Sequence, residues 1–178
     1  MLKNLLIQKK AVILKRWCDM ILETYPPDAA EFFKGEGNRF ANPVGYVLLR
    51  GIESLYRELL EEELDAEKIS PFLDKIIRIR AIQDFSPSEA VAFVYFLKKV
   101  IREELASEIR ERRFYEDLLK FDSRIDELAL IAFDTYMQCR ENIYEIRVDE
   151  VKNSTFSLLK RANLIMETQG EESEITGF

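Results

Sequence analysis

The chain contains no histidine. Its absence removes the commonest general base, the usual nitrogen ligand for zinc or iron, and the His axial ligand of haem. A phosphoacceptor histidine of the sensor-kinase kind is excluded as well. Cysteine is scarce: Cys18 and Cys139 are the two present, each inside an apolar stretch of helical character. They are expected to be buried, reduced thiols of a cytosolic protein, with a disulfide or redox pair as the alternative. Neither has the His partner of a Cys nucleophile. Carboxylate di-metal sites in helical bundles draw on Glu-x-x-His, which this chain cannot supply. No metal, no cofactor and no enzymatic activity are therefore expected.

Other shortages narrow the field further. The longest apolar run, Ala90–Leu97, is too short to cross a bilayer. The opening "MLKNLLIQKKAVILKRW" is interrupted by Lys3, Lys9 and Lys10 and does not read as a signal peptide. A cytoplasmic protein with no membrane insertion is expected. Positive charge is in deficit, with 26 Lys plus Arg against 33 Asp plus Glu and a net charge of −7. No basic run combines with stacking aromatics, so nucleic acid is not an expected partner.

Glycine and proline are few and unevenly placed. Of the six Gly and five Pro, all but Gly170 and Gly177 precede Ser88, which leaves 82 consecutive residues with neither breaker. Before that stretch the chain is punctuated. Leu6, Ile13, Leu14, Trp17 and Ile21 recur at helical steps and predict a helix over 2–24, stopped by Pro26-Pro27. Asp28 then caps a short helix through Phe33, ended by Gly35 and Gly37. In "NRFANPVGYVLL", Asn42 suits an N-cap and Pro43 the first helical position, which predicts a helix from Pro43 to about Glu62. Gly45 and Gly51 lie inside it at a cost of about 1 kcal/mol each, which implies close approach of another backbone or a ligand. Ser70-Pro71 is expected to start a helix reaching about Phe85. Ser86-Pro87 starts the next, with Glu89 completing a capping box. "AVAFVYFLKKVI" is apolar on nearly every face and is expected in the middle of a bundle.

The stretch without breakers predicts one helix to about Phe114, a turn near Asp122-Ser123, and a last helix to about Leu164. From Ser123 that last helix is 42 residues, or about 63 Å, against about 40 Å for a globule of this chain length. Part of it is expected to project, bend or pack on another chain. Ile125, Ala132, Cys139 and Ile146 repeat every seven, flanked by Leu128, Ala129, Tyr136 and Ile143, and form a core-facing stripe. Beyond it, Val151, Thr155, Leu158, Ala162 and Ile165 form a narrower four-three pattern that runs back through Val148 and Tyr144. The second stripe reads as a partner-facing seam or as a fraying end. Residues 1–165 are expected to be one helical regulatory domain, and 166–178 a disordered acidic tail.

Three polar groups are candidate partner sites. Asn38, Arg39 and Asn42 surround the Pro-Gly turn and read as capping or as a ligand or partner surface; no phosphate-loop pattern is present. In "IIRIRAIQDFSPSE", Arg80 and Asp84 stand four apart on one helical face. Arg78 points away from Arg80, so one of the two is expected to face inward and to need a carboxylate, with Glu89, Asp126 and Asp134 as candidates. A buried ion pair and a switch or docking site are the two readings. "CRENIYEIRVDEVKN" supplies Arg140, Glu141, Glu145 and Arg147 where the stripes change phase, either a solvated face or a partner surface. A pocket lined by Phe40, Tyr46, Phe93, Phe96 and Tyr136 would instead make the chain a small-molecule sensor.

"FFKGEGNRFANPVGY", "IIRIRAIQDFSPSEAVAFVYFLKKVIREEL" and "AFDTYMQCRENIYEIRVDEVKN" resemble the N-terminal domain family of RsbT co-antagonist proteins, the RsbRD type, over about residues 10–155. The resemblance implies a helical sensory or regulatory domain of bacterial stress signalling, which family members couple to an output module, often a STAS domain. Related stressosome domains are similar to globins without haem, dimerise, and send a helix towards that module. No STAS domain with its phosphorylation switch is found in the 178 residues, so antagonism of an RsbT-like kinase does not carry over. The expected protein is an all-α helical bundle, globin-like without haem, with a long C-terminal helix. It is expected to work as a homodimer on a protein partner.

Overall fold

Trp17 sits at the centre of the fold. It is fully buried, and its indole Nε1 donates to the Phe93 main-chain oxygen at 2.6 Å. A computed structural model describes residues 1–34, 42–83 and 85–162. Among them are eight helices and no strands: α1 (Leu2–Gln8), α2 (Lys10–Leu22), α3 (Pro27–Lys34), α4 (Pro43–Leu59), α5 (Ala66–Ile82), α6 (Pro87–Glu104), α7 (Ala106–Arg112) and α8 (Tyr115–Arg161). The chain divides into two units, Met1–Arg140 and Glu141–Phe178.

Unit 1 is a bundle in which α4 packs most extensively on α5, and α2 on α6. The longer helices each bury one stripe at three- and four-residue steps. Ile13, Trp17 and Ile21 come from α2; Ile52, Leu55, Tyr56 and Leu59 from α4. Ile69, Leu73, Ile76 and Ile77 of α5 meet Phe93, Val94, Leu97, Val100 and Ile101 of α6 in the same core. Each such aliphatic or Phe side chain gains about 1.5–3 kcal/mol on leaving water. From α8, Ile125, Leu128, Ala129, Ala132, Tyr136 and Cys139 of the first predicted stripe are buried, as is Phe121 one turn before it, whereas Ile146 of the same stripe is exposed. Burial also pushes the Tyr56 hydroxyl well above its ordinary value; it donates to the Leu6 main-chain oxygen at 3.0 Å.

Several boundaries differ from expectation. The first helix is two, parted at Lys9 (φ −95°, ψ 10°), whose ammonium reaches across to the Glu104 main-chain oxygen at 2.9 Å and pairs with Glu108. Asp28 lies in the first turn of α3 rather than capping it, because the helix already begins at Pro27. Ser70-Pro71 does not start a helix. Asp65 caps α5 by accepting from the Glu67 and Lys68 amides, and Pro71 lies inside. The predicted turn at Asp122-Ser123 is continuous α8. The breaks fall instead at Leu105 and at Arg113, which takes the left-handed conformation (φ 55°) while the Phe114 amide donates to the Ile109 oxygen. The sequence has no Gly or Pro at either place, so the punctuation could not reveal them. The α6 helix is not buried all round either: Tyr95 is 47% exposed.

The capping of α4 and α6 is as expected. Asn42 Oδ1 accepts from the Gly45 amide at 2.8 Å, while its Nδ2 donates to the Phe33 oxygen at 2.8 Å and ties α3 to α4. Ser86 and Glu89 form the capping box of α6. The described part of unit 2 is the helical stretch from Glu141, ending at Arg161 and Ala162; none of its residues is buried, and Ile143 alone is intermediate. Gly35, Gly37 and residues 163–178, including the predicted acidic tail, lie outside the described residues.

Candidate functional site

Two features of the fold stand apart from ordinary core packing. The first is the corner between α5 and α6. Arg78 and Arg80 diverge as the helical spacing requires. Arg78 is exposed and its Nε donates to Asp74 at 2.8 and 2.7 Å. Arg80 turns inward and is fully buried. The expected ion pair is not what holds it. Among the described residues no carboxylate pairs with Arg80; its partners are neutral oxygens and aromatic faces. Nη2 donates to the Glu89 main-chain oxygen at 3.0 Å and to Thr24 Oγ1 at 3.2 Å, and Nη1 reaches the Tyr25 hydroxyl at 3.4 Å. The guanidinium lies 4.1 Å from the Phe85 ring centroid, 5.4 Å from Tyr25 and 6.0 Å from Phe93. Of the proposed partners, Glu89 contributes its carbonyl, while Asp126 pairs with Lys98 at 2.7 Å.

Burial lowers the Arg80 pKa from its ordinary value and raises that of the Tyr25 hydroxyl. Among the described residues, Arg80 Nε has no hydrogen-bond acceptor. On the α8 side of the same corner, the Tyr136 hydroxyl donates to the Phe85 oxygen at 2.7 Å and Arg140 Nη1 to the Ala81 oxygen at 3.4 Å. Cys139 lies buried between those two residues in sequence, its thiol pushed up by burial.

The second feature is the outward face of α8. In unit 1, Leu130 and Met137 stand seven apart and are 67% and 39% exposed, with Phe133 also exposed. In unit 2, Tyr144, Val151 and Leu158 stand seven apart and are exposed, as are Val148 and Thr155 between them and Ala162 beyond. Glu141, Glu145 and Arg147 are exposed as well.

Two cavities open at the surface of the bundle. One of about 620 Å³ lies between α2 and α4, walled by Leu14, Leu22, Phe33, Leu49 and Ile52, with Tyr46 at its side. Another of about 680 Å³ lies by Leu2, Leu60, Phe121 and Arg124. Of the expected pocket residues, Phe40 lies outside the described residues, and the other four are not gathered in either. Phe93 is in the core beneath Arg80, Phe96 is half-buried on α6, and Tyr136 is buried on α8; of these residues, Tyr46 alone lines a cavity. Asn38, Arg39, Phe40 and Asp84 lie outside the described residues, while Asn42 is buried and acts as a cap.

Thr24, Tyr25 and Phe85 around Arg80 carried no signal in the sequence, because the 24–25 pair and Phe85 come from separate segments. The outward Leu130 and Met137 were detectable, since they continue the count of seven from Tyr144 backwards.

Among the described residues, no helix is long and apolar enough to cross a membrane, and no group of three or more metal-ligating side chains is found. Over 150 residues the chain is 27% identical to an uncharacterized protein of Archaeoglobus fulgidus, covering 84% of this chain and 88% of that one. No solved structure matches it. The model of the RsbT co-antagonist protein rsbRD N-terminal domain matches residues 11–151, from the start of α2 into the second unit, and the chain belongs to that family.

Proposed function

We propose that the protein is a non-enzymatic, cytoplasmic signalling module that acts by dimerising and by binding a protein component of a stress-response pathway. The observation that carries this reading is the exposed apolar series on α8. Val151 and Leu158 are 65% and 61% exposed. With Val148, Thr155 and Ala162 they alternate by four and three, the spacing of a coiled-coil seam. Leu130, Met137 and Tyr144 extend the same count of seven towards the N-terminus. Apolar side chains repeated in this register cost solubility unless something covers them. A second copy of the same seam covers them at no cost in complementarity. Arg140, Glu141, Glu145 and Arg147 lie alongside and would set the choice of partner.

The test is the double substitution Val151→Glu/Leu158→Glu. The mass in solution at micromolar concentration should fall from two chains to one, while the emission of Trp17, the chain's single tryptophan, stays that of a buried indole. An unchanged mass would remove the seam from the account.

A second reading, a small-molecule sensor, draws on the α2–α4 cavity of about 620 Å³, within the usual range of ligand sites. Leu49→Trp should fill that groove. If the groove takes up an apolar dye such as anilinonaphthalene sulfonate, the variant should abolish the uptake; a dye signal equal in both proteins would dismiss this reading.

A further inference from the structure

We propose that the exposed seam of α8 takes a second copy of itself in antiparallel orientation, Val148 against Val151 of the second copy, with Glu145–Lys152 ion pairs between the chains fixing the register. The proposal rests on the dimeric reading above and deepens it by giving the two chains a direction. The seam residues and the charges beside them, between Glu141 and Leu158, lie within unit 2 and are exposed. Counting by sevens sets Val148 and Thr155 at the a positions of a coiled coil and Tyr144, Val151 and Leu158 at the d positions. The same count puts Glu141 at an a position, Glu145 and Lys152 at e, and Arg147 at g.

Charge separates the two orientations. In a parallel pair each a residue meets its own copy, and each g residue faces the e residue of the partner's next heptad. Glu141 would then stand on Glu141, and Arg147 would face Lys152 on both sides, so like charges would meet in the seam and beside it. The attraction offered in return, Arg140 with Glu145, draws on an arginine whose Nη1 already donates to the Ala81 oxygen of its own chain at 3.4 Å. In an antiparallel pair each a residue meets a d residue, and e faces e. Centred between Val148 and Val151, that arrangement stacks Val148 on Val151, Thr155 on Tyr144 and Glu141 on Leu158. It also sets Glu145 against Lys152 on both sides. Sliding by one heptad in either direction would bring Lys152 onto Lys152 or Glu145 onto Glu145, so the charges select a register as well as a direction. Arg140 and Arg161 do approach each other, but at the outer ends of the pair, where α8 stops. Lys152 is available for the contact: its present neighbour, Asp149 at 3.8 Å, makes an exposed pair on the same helix, and such pairs hold little.

One substitution moves the two orientations in opposite directions. Lys152→Glu turns both Glu145–Lys152 pairs of the antiparallel dimer into repulsions, and together these should weaken association about tenfold. In a parallel dimer the same change would pair Arg147 with a carboxylate and strengthen association instead. Adding Glu145→Lys to Lys152→Glu exchanges the signs of the antiparallel pairs and should restore the dissociation constant of the unaltered protein, read by sedimentation equilibrium. A disulfide trap checks the direction independently. In a Cys18→Ala/Cys139→Ala background, Leu158→Cys would face its own copy in a parallel seam. In the antiparallel one the two thiols are about 25 Å apart along the helices, beyond the reach of a disulfide, so the dimer should persist unlinked under mild oxidation. Rapid linkage, or a Lys152→Glu dimer as tight as the unaltered one or tighter, would overturn the proposed orientation while leaving the dimer standing. A single chain mass for the unaltered protein would remove the seam and the orientation together. Trp17 emission monitors the bundle in each variant, and should the cysteine-free background fail to fold, Lys152→Glu with its rescue decides the matter by itself.

Discussion

Gly45 and Gly51 lie in the same helix, yet their replacement by alanine should have opposite consequences. In a helix interior the exchange alone gains about 1 kcal/mol. At Gly51 a new Cβ would meet the Ile76 Cδ1 atom at 2.7 Å, the far end of a flexible side chain, and the nearest backbone atom, the Phe72 oxygen, is 3.8 Å away. Ile76 can turn aside at a cost of about 0.5–1.5 kcal/mol, so Gly51→Ala should be close to neutral. At Gly45 the Cβ would stand 2.7 Å from the Phe33 main-chain oxygen and closer still to the amide of Asn42. Neither can yield cheaply, because that amide is the cap of α4 and its tie to α3. Losing the cap costs about 1 kcal/mol, and forcing helices apart adds about 1–3 kcal/mol of overpacking. Net of the propensity gain, Gly45→Ala should destabilise by about 1–3 kcal/mol. Urea unfolding followed by Trp17 emission measures both variants in one assay. Equal stability of the two would refute the reading of "NPVGY" as a tightly seated helix start.

Further outcomes follow from the same structure. Arg113 holds a left-handed conformation at the end of α7 (φ 55°), so Arg113→Gly should raise stability by about 1 kcal/mol, seen as a higher melting temperature. Ser86→Ala removes the hydroxyl of the α6 capping box and should cost about 1 kcal/mol in the same measurement. Glu108 is held down to about 2 by its hydrogen bonds to Lys9 and Ser107. Its contribution to stability is therefore complete above the unfolded carboxyl range and is lost as pH falls from about 4.5 towards about 2. Glu108→Gln should flatten the acid limb of the stability curve in that window, and an unchanged limb would mean that the Lys9 contact is not formed.

Much of the fold was legible because local chemistry and tertiary packing agree. Asn42-Pro43 and Ser86-Pro87-Ser88-Glu89 announce helix starts by satisfying particular orphan amides, and both starts are found where the residues place them. The stripe Ile125–Cys139 is buried because its seven-residue repeat matches a helix lying on a core. What failed was the inference from missing breakers. Arg113 accepts a conformation that glycine would adopt more cheaply, and Pro71 is tolerated inside α5, where Asp65 had already started the helix. The Arg80 environment was half legible. Spacing required one inward arginine, but that Thr24 and Tyr25 hold it depends on a segment more than fifty residues away. The outward face of α8 was visible over residues 144–162. Its continuation through Met137 and Leu130 follows the same count of seven, but there it runs beside the stronger core stripe on the same helix.

The claim on which the functional account rests is that the exposed series on α8 is covered by a second copy of the chain. Sedimentation equilibrium of the unaltered protein at micromolar concentration tests it without a substitution or a probe. The account predicts a particle of twice the 20.9 kDa chain mass. A species of one chain mass across the micromolar range would contradict it.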